Sequence, residues 1–171
     1  VVAERADPST YSKKTQLALK ILSNRANVHV FQTKEIRNWY KGFISDEDAV
    51  IIPNAINPEF IRPLYDGERE KTIVSVGRLT EEKNFSLLIE AFAKVHKTHK
   101  EYKLVIYGEG PLRPLLEKQI TELCISNFVS LPGNEKDIIS KIEGACMFVL
   151  SSRHEGMPNA LMEAMALGLP C

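Results

Sequence analysis

Short apolar stretches alternate with amphipathic segments along this chain of 171 residues. A stretch of about four apolar residues is typical of a buried strand, whereas apolar residues at helical spacing favour a helix. Strands that are apolar on both faces and alternate with helices predict an α/β fold whose parallel sheet is covered on both sides. The predicted strands are 28–31, 49–52, 73–76, 104–107, 128–131 and 147–150, and the predicted helices are 14–26, 34–41, 85–95, 112–123, 138–142 and 158–167.

A proline-rich stretch interrupts this alternation. It contains three prolines between residues 53 and 63 and has little apolar periodicity, which suits a connector between domains. We therefore divide the chain into the end of a first domain at 1–52, a connector at 53–70, and a second domain at 71–171.

The loops that follow the strands are where chemistry is expected, because doubly wound parallel sheets bind ligands outside the carboxyl ends of their strands. In the loop after the last predicted strand, Gly156 permits a tight turn. Pro158 suits the first helical position, since its missing N–H would be unpaired there anyway. The backbone amides of Asn159 and Ala160 then remain at the positive end of the helix, which predicts an anion site.

Two carboxylates, Glu155 and Glu163, flank this predicted anion site. Carboxylates do not favour a phosphate, but each accepts paired hydrogen bonds from vicinal hydroxyls such as those of a ribose or a sugar ring. Taken alone, Glu155 fits equally a helix cap and Glu163 a solvated surface residue. Together with the glycine, the proline and the small residues that follow, they favour a sugar-nucleotide site.

A second candidate site is the segment from Gly77 to Asn84, where the strand at 73–76 ends. Arg78 and Lys83 at this position can converge on one diphosphate and supply the positive charge that a metal would otherwise bring. An Arg and a Lys at this spacing are more often solvated surface charge, so their place at a strand end carries the prediction.

In order and spacing, these motifs and two further ones resemble the retaining glycosyltransferases of family 4 over about residues 50–171. Those enzymes have the GT-B fold, in which two Rossmann-like domains face each other and the second holds the donor. The resemblance implies a nearly complete donor domain, truncated at its C-terminus, with the tail of the acceptor domain before it. The motifs are Gly77-Arg78-Leu79 with Lys83-Asn84, Gly108-Glu109-Gly110-Pro111-Leu112, Leu131-Pro132-Gly133, and Glu155-Gly156 followed by Glu163-Ala164, with seven residues between the two glutamates.

The resemblance also implies a role for each matching residue. Arg78 and Lys83 would bind the donor pyrophosphate, Glu155 the hydroxyls of the transferred sugar, and Glu163 the ribose. We therefore expect Glu155, Arg78 and Lys83 to be the catalytic residues. The full set expected to bind the donor is Gly77, Arg78, Lys83, Gly133, Asn134, Glu155, Gly156, Met157, Pro158, Asn159, Ala160 and Glu163.

The first 52 residues are similar to the end of an acceptor domain, and Glu4-Arg5-Ala6-Asp7-Pro8 resembles a stretch of bacterial surface-polysaccharide members. Residues 1–43 contain eight basic side chains and three acidic ones, although Lys plus Arg and Asp plus Glu both total 22 in the whole chain. The balanced total gives no reason to expect a nucleic-acid partner. The basic excess and the amphipathic segment 14–26 instead favour an anionic membrane surface, or equally a solvated basic face.

Neither a metal nor another cofactor is expected. Asp46-Glu47-Asp48 matches a metal-binding tripeptide of other sugar transferases, but it precedes an apolar strand instead of following one. Gly108-Glu109-Gly110 lacks the third glycine of a dinucleotide fingerprint and is better explained by a turn before a proline-started helix. The three cysteines have no metal-ligand spacing and suit a reducing compartment, so we expect a cytoplasmic protein, peripheral on the inner face of the plasma membrane.

Taken together, the sequence predicts a metal-independent retaining transferase. It would move a hexose or hexosamine from a nucleotide-diphosphate sugar, with UDP the expected nucleotide, to a lipid-linked or polysaccharide acceptor. Because this piece lacks most of an acceptor domain, we expect it to be inactive alone. The alternatives are a sugar-nucleotide epimerase of the same fold and a non-catalytic nucleotide-sugar binding module.

Overall fold

The computed structural model describes residues 1–4, 8–23 and 25–171, so Arg5, Ala6 and Asp7 of the predicted surface-polysaccharide stretch lie outside it. Its strands are β1 (Val2–Glu4), β2 (His29–Phe31), β3 (Ala49–Ile51), β4 (Glu70–Val76), β5 (Lys103–Tyr107), β6 (Val129–Gly133) and β7 (Ala145–Phe148). Its α-helices are α1 (Lys13–Ser23), α2 (Lys34–Trp39), α3 (Phe85–His96), α4 (Arg113–Glu122), α5 (Ile138–Ile142) and α6 (Asn159–Ala166).

By their contacts, the residues form two units. The first contains Val1–Ala55 together with His154–Pro158, and the second contains Ile56–Arg153 together with Asn159–Cys171. The inclusion of a five-residue segment from late in the chain in the first unit was not expected from the sequence.

The first unit is built on a parallel sheet in the order β1-β2-β3. Its core is a small aromatic and aliphatic cluster of Phe31, Ile36 and Tyr40. The side chain of Thr33 caps α2 by accepting a hydrogen bond from the amide of Ile36, which fixes where that helix begins.

The second unit is built on a parallel sheet in the order β6-β5-β4-β7. Alternate residues of β5 pack into different clusters: Leu104 and Ile106 lie with α3 and α4, whereas Tyr107 lies with α5 and α6. Because successive side chains of a strand point to opposite faces, helices cover both faces of this sheet. The predicted doubly wound parallel α/β fold is confirmed.

Most of the predicted helices differ from the observed ones by one to three residues at an end. α1 ends at Ser23 instead of residue 26, and α6 begins at Asn159, so Pro158 precedes the helix instead of opening it. In α4 the proline of the first turn is Pro114, not Pro111, because the turn after β5 continues to Leu112 before helical hydrogen bonding starts.

The helix α1 is amphipathic, as predicted, but its apolar side faces outward. Leu17 is 60% exposed and Ile21 58% exposed, and Leu22 is exposed as well. Leu19, on another side of the helix, packs against the cluster of the first unit.

Candidate functional site

The loop after β4 carries Arg78, and hydrogen bonds of the next residue connect this loop to the one after β5. That residue, Leu79, is fully buried, and its amide donates a hydrogen bond to the carbonyl of Glu109 at 2.9 Å. The carbonyl of Leu79 accepts a hydrogen bond from the amide of Leu112 at 3.1 Å. These contacts leave the Arg78 side chain exposed, and none of the described residues forms an ion pair with it.

Lys83 is brought back to the same loop by a short turn. Residues 81–83 form a 3₁₀ turn that ends at Asn84, whose φ of 52° lies in the left-handed region that Asn tolerates better than most residues. The Lys83 side chain lies beside Gly77, since a Cβ placed on Gly77 would be 3.5 Å from Lys83 Cδ. Arg78 and Lys83 therefore flank one loop, as the sequence predicts for a diphosphate clamp.

The loop after β7 is joined to the Lys83 turn by two hydrogen bonds. The hydroxyl of Ser151 donates to the carbonyl of Lys83 at 2.8 Å, and the amide of Arg153 donates to the carbonyl of Glu82 at 2.9 Å. The chain that leads to Glu155 therefore leaves the sheet next to Lys83.

The predicted base-side loop begins at the end of β6. The amide of Gly108, after β5, donates to the carbonyl of Gly133 at 2.8 Å, which joins this loop to the one before it. Asn134, the next residue, is exposed. Gly133 and Asn134 therefore lie at the same carboxyl edge of the sheet as Gly77 and Arg78.

Glu163 lies on α6, two turns or less from Asn159 and Ala160, which open that helix. Its neighbour Ala164 is fully buried, and Glu163 itself is half-buried. Burial raises the pKa of the Glu163 carboxyl above its ordinary value, because desolvation disfavours the charged form. Among the described residues, none forms an ion pair with this carboxylate, which remains able to accept hydrogen bonds from a ligand.

The loop that carries Glu155, Gly156, Met157 and Pro158 belongs by its contacts to the first unit, whereas the other candidate donor residues belong to the second. All four residues are half-buried. The candidate donor residues of the second unit are Gly77, Arg78, Lys83, Gly133, Asn134, Asn159, Ala160 and Glu163.

Sequence reasoning missed the residues that hold this loop. The side-chain amide of Asn54 donates to the carbonyl of Met157 at 3.1 Å, and the backbone amide of Asn54 approaches the Met157 sulfur at 3.2 Å. The amide of Gln32, which is buried, donates in turn to the side-chain oxygen of Asn54 and so fixes its orientation. The available signal was an Asn that directly follows a strand and a proline, at a carboxyl edge of the first sheet.

The acidic tripeptide Asp46-Glu47-Asp48 forms a 3₁₀ turn directly before β3. Ser45 caps the turn, and Arg37 forms an ion pair with Asp46. Within residues 1–4, 8–23 and 25–171, no group of three or more His, Cys, Asp or Glu side chains is arranged to hold a metal ion. In the same residues, no helix has the length and apolar character needed to cross a membrane.

The parallel α/β architecture is that of the GT-B fold. The structure superposes on that of a mutant of S. aureus TarM in complex with Fondaparinux, alpha-GlcNAc-glycerol and UDP, with a TM-score of 0.85 and 23% sequence identity. The match covers 98% of this chain and 35% of TarM. The chain belongs to the family described as Glycosyl transferases group 1, whose model matches residues 57–171.

Curated relatives extend this match beyond the family model. The chain is 31% identical over 172 residues to an uncharacterized glycosyltransferase of Methanocaldococcus jannaschii. This alignment covers 94% of this chain and 42% of the relative. The chain is 39% identical over 126 residues to a Campylobacter jejuni N-acetylgalactosaminyltransferase, covering 72% of this chain and 34% of the relative. That enzyme is named for an acceptor linked to diphospho-undecaprenol. The chain thus spans less than half the length of these relatives.

Proposed function

We propose that the protein transfers a hexose or hexosamine from a UDP-sugar to a lipid-linked or polysaccharide acceptor, with retention at the anomeric carbon. The observation that carries this proposal is that Arg78, which is exposed, and Lys83, whose side chain lies beside Gly77, border one loop at the carboxyl edge of a parallel sheet. Two cations on one loop suit the two charges of a pyrophosphate. The UDP bound in the TarM complex supports uridine as the nucleoside.

In the proposed reaction, Arg78 and Lys83 stabilise the leaving group. The bond between the anomeric carbon and the diphosphate oxygen breaks, and its electron pair leaves with UDP. The acceptor hydroxyl forms its bond to the same carbon from the same face, and its proton passes to the departing diphosphate. Charge therefore accumulates on UDP as the bond breaks, which is where fixed positive side chains lower the barrier most. This role requires no metal.

The two glutamates have different roles in the proposal. Glu163, half-buried and able to accept hydrogen bonds, would bind the ribose hydroxyls. Glu155 would bind hydroxyls of the transferred sugar. Gly133 and Asn134 would lie near the base, and the backbone N–H groups of Gly156, Met157, Asn159 and Ala160 would contact the phosphate and the sugar.

For the acceptor, we propose a polyprenyl-diphosphate-linked sugar or a growing polysaccharide, held at the inner face of the plasma membrane. The named acceptor of the Campylobacter relative supports the lipid-linked form. The exposed Leu17, Ile21 and Leu22 of α1 support contact with an anionic membrane, since Lys13 and Lys14 on the same helix are exposed as well.

The test uses this chain for binding and the complete protein for turnover. UDP, GDP and ADP are compared for their effect on the melting temperature of this chain, because a ligand of the native state raises it. The complete protein is then incubated with UDP-hexoses and a lipid-linked acceptor, and the UDP released and the anomeric configuration of the product are measured. Epimerised UDP-sugar without release of UDP would contradict the proposal, and so would the absence of any reaction.

A further inference from the structure

Three loops at the carboxyl edge of the second sheet are hydrogen-bonded in series. The amide of Leu79, after β4, donates to the carbonyl of Glu109, after β5, at 2.9 Å. The amide of Gly108 in that middle loop donates to the carbonyl of Gly133, at the end of β6, at 2.8 Å. The middle loop therefore sets the spacing between the Arg78 loop and the Gly133 loop.

Two glycines let these loops approach more closely than side chains would allow. Gly108 has a φ of 136°, and a Cβ there would lie 2.0 Å from the carbonyl oxygen of Gly77. Gly133 has a φ of 96°, and a Cβ there would lie 2.8 Å from Oε1 of Glu109. The Glu109 carboxylate is consequently packed against the backbone of the base-side loop.

Arg113, the first residue of α4, holds that carboxylate in place. Its Nε donates to Glu109 Oε2 at 2.8 Å and its Nη2 to Glu109 Oε1 at 2.7 Å. Its Nη1 donates to the carbonyl of Leu131 in β6 at 2.9 Å and to Glu117 Oε1 at 3.0 Å. The guanidinium lowers the pKa of the Glu109 carboxyl, mainly through these hydrogen bonds. One side chain therefore links the loop after β5 to the last residues of β6.

We propose that Arg113 is a positioning residue that sets the distance between the pyrophosphate-binding loop and the base-side loop for a nucleoside diphosphate. This inference rests on the proposed function, in which Arg78 grips the pyrophosphate and the Gly133 loop lies beside the base. A ligand that contacts two loops gains the full benefit of both contacts only when the loops are held at the span of the ligand. Arg113 does not need to touch the ligand for this role.

The geometry requires arginine at this position, not merely a positive charge. The planar guanidinium donates four hydrogen bonds, two to the carboxylate of Glu109, one to the carboxylate of Glu117 and one to the carbonyl of Leu131. A lysine ammonium has three donors on a single nitrogen and cannot bridge Glu109 and Leu131 in the same way. Arg113→Lys therefore retains the charge and removes the bridge.

The experiment measures binding of two probes to this chain by calorimetric titration. UDP spans both loops, whereas inorganic pyrophosphate engages the phosphate loop alone. For Arg113→Lys, we expect the Kd for UDP to rise about tenfold while the Kd for pyrophosphate stays within about twofold. The matched control is Lys118→Ala on the same helix, which removes an exposed ion pair with Glu122 and should change neither Kd.

Each other outcome overturns the inference in a distinguishable way. If the Arg113→Lys variant loses affinity equally for UDP and pyrophosphate, Arg113 acts through the general stability of the unit. If it loses affinity for neither, Arg113 does not set the spacing of the two loops. If the wild-type chain binds pyrophosphate but not UDP, the base-side loop has no role, and the inference fails with it. If the wild-type chain binds neither, the proposed donor site itself is wrong.

Discussion

The side-chain amide of Asn54 donates a hydrogen bond to the carbonyl of Met157 across 103 positions of the chain, at 3.1 Å. The backbone amide of Asn54 contacts the sulfur of the same methionine. Met157 is two residues from Glu155, the residue proposed to bind the transferred sugar. Asn54 is therefore placed to hold the conformation of the Glu155 loop.

The first prediction concerns this contact. Asn54→Ala in the complete enzyme should lower turnover roughly 10- to 100-fold, since small displacements of a positioned group are costly to the reaction. The affinity for UDP, which has no sugar for Glu155 to meet, should change by less than about twofold. The control is Asn57→Ala, which removes a hydrogen bond to the amide of Glu59 in an exposed turn and should leave turnover unchanged. Equal loss of UDP binding and turnover in the Asn54 variant would contradict the prediction.

The second prediction concerns the diphosphate clamp. Arg78→Ala or Lys83→Ala in the complete enzyme should lower turnover by about 100-fold or more, because each removes positive charge from the leaving group in the transition state. EDTA should have little effect on the wild type. The control is Lys97→Ala, which removes an exposed cation just after α3. Strong inhibition by EDTA that manganese reverses would contradict the clamp and direct attention to Asp46-Glu47-Asp48.

The doubly wound fold was predictable because each strand and helix of the second unit has its own apolar period, and the two faces of β5 are both apolar. The place of Arg78 and Lys83 on one loop was predictable because they are close in sequence and follow a strand, whereas their role as a diphosphate clamp stays a prediction. The hydrogen bond from Asn54 to Met157 was not predictable, because a contact between residues 103 positions apart leaves no local sequence pattern. The bridging role of Arg113 was hidden for the same reason: its contact with the carbonyl of Leu131 depends on how β5 and β6 pair.

The third prediction concerns the membrane. Leu17→Ser combined with Ile21→Ser should reduce binding to phosphatidylglycerol vesicles at least tenfold, because each exposed apolar side chain contributes about 1.5 kcal/mol or more when buried. Binding should also weaken as salt is raised, since it depends partly on exposed Lys13 and Lys14. The control is Leu115→Ser, an equally exposed leucine on α4. If the wild-type protein co-sediments with phosphatidylglycerol vesicles no more strongly than with neutral vesicles, the proposed contact with an anionic membrane is wrong.

The fourth prediction concerns stability and pH. Burial raises the folded-state pKa of Glu163, so its contribution opposes folding increasingly as the pH rises through the ordinary pKa, and fully once the pH exceeds the folded-state pKa. Glu163→Gln should therefore melt slightly above the wild type at pH 7, by about 1 °C. The pH-dependent part of the difference should vanish as the pH falls well below the ordinary glutamate pKa of about 4.3, where Glu163 is protonated in both the folded and the unfolded state. Thermal melts of both proteins across this pH range measure it, and a lower melting temperature for the variant at pH 7 would contradict it.

The last prediction separates the two glutamates of the proposed donor site. The ribose that Glu163 is proposed to bind stays attached to the leaving group, so its contacts are similar in the ground state and the transition state. Glu163→Gln should therefore raise the Kd for UDP, by about tenfold, and lower turnover little at saturating donor.

Glu155 is proposed to meet the sugar ring, which flattens and becomes positively charged as the bond breaks. The negative charge of Glu155 matters most at that moment, so Glu155→Gln should depress turnover by roughly 100-fold while UDP binding stays within about twofold. Calorimetric titration of UDP into both variants, together with turnover of the complete enzymes, measures the difference. The two variants control for each other, because each replaces one half-buried carboxylate by an amide of the same shape. An equal loss of UDP affinity in both would show that the roles are assigned wrongly, since a ligand without a sugar cannot report on a residue that contacts only the sugar.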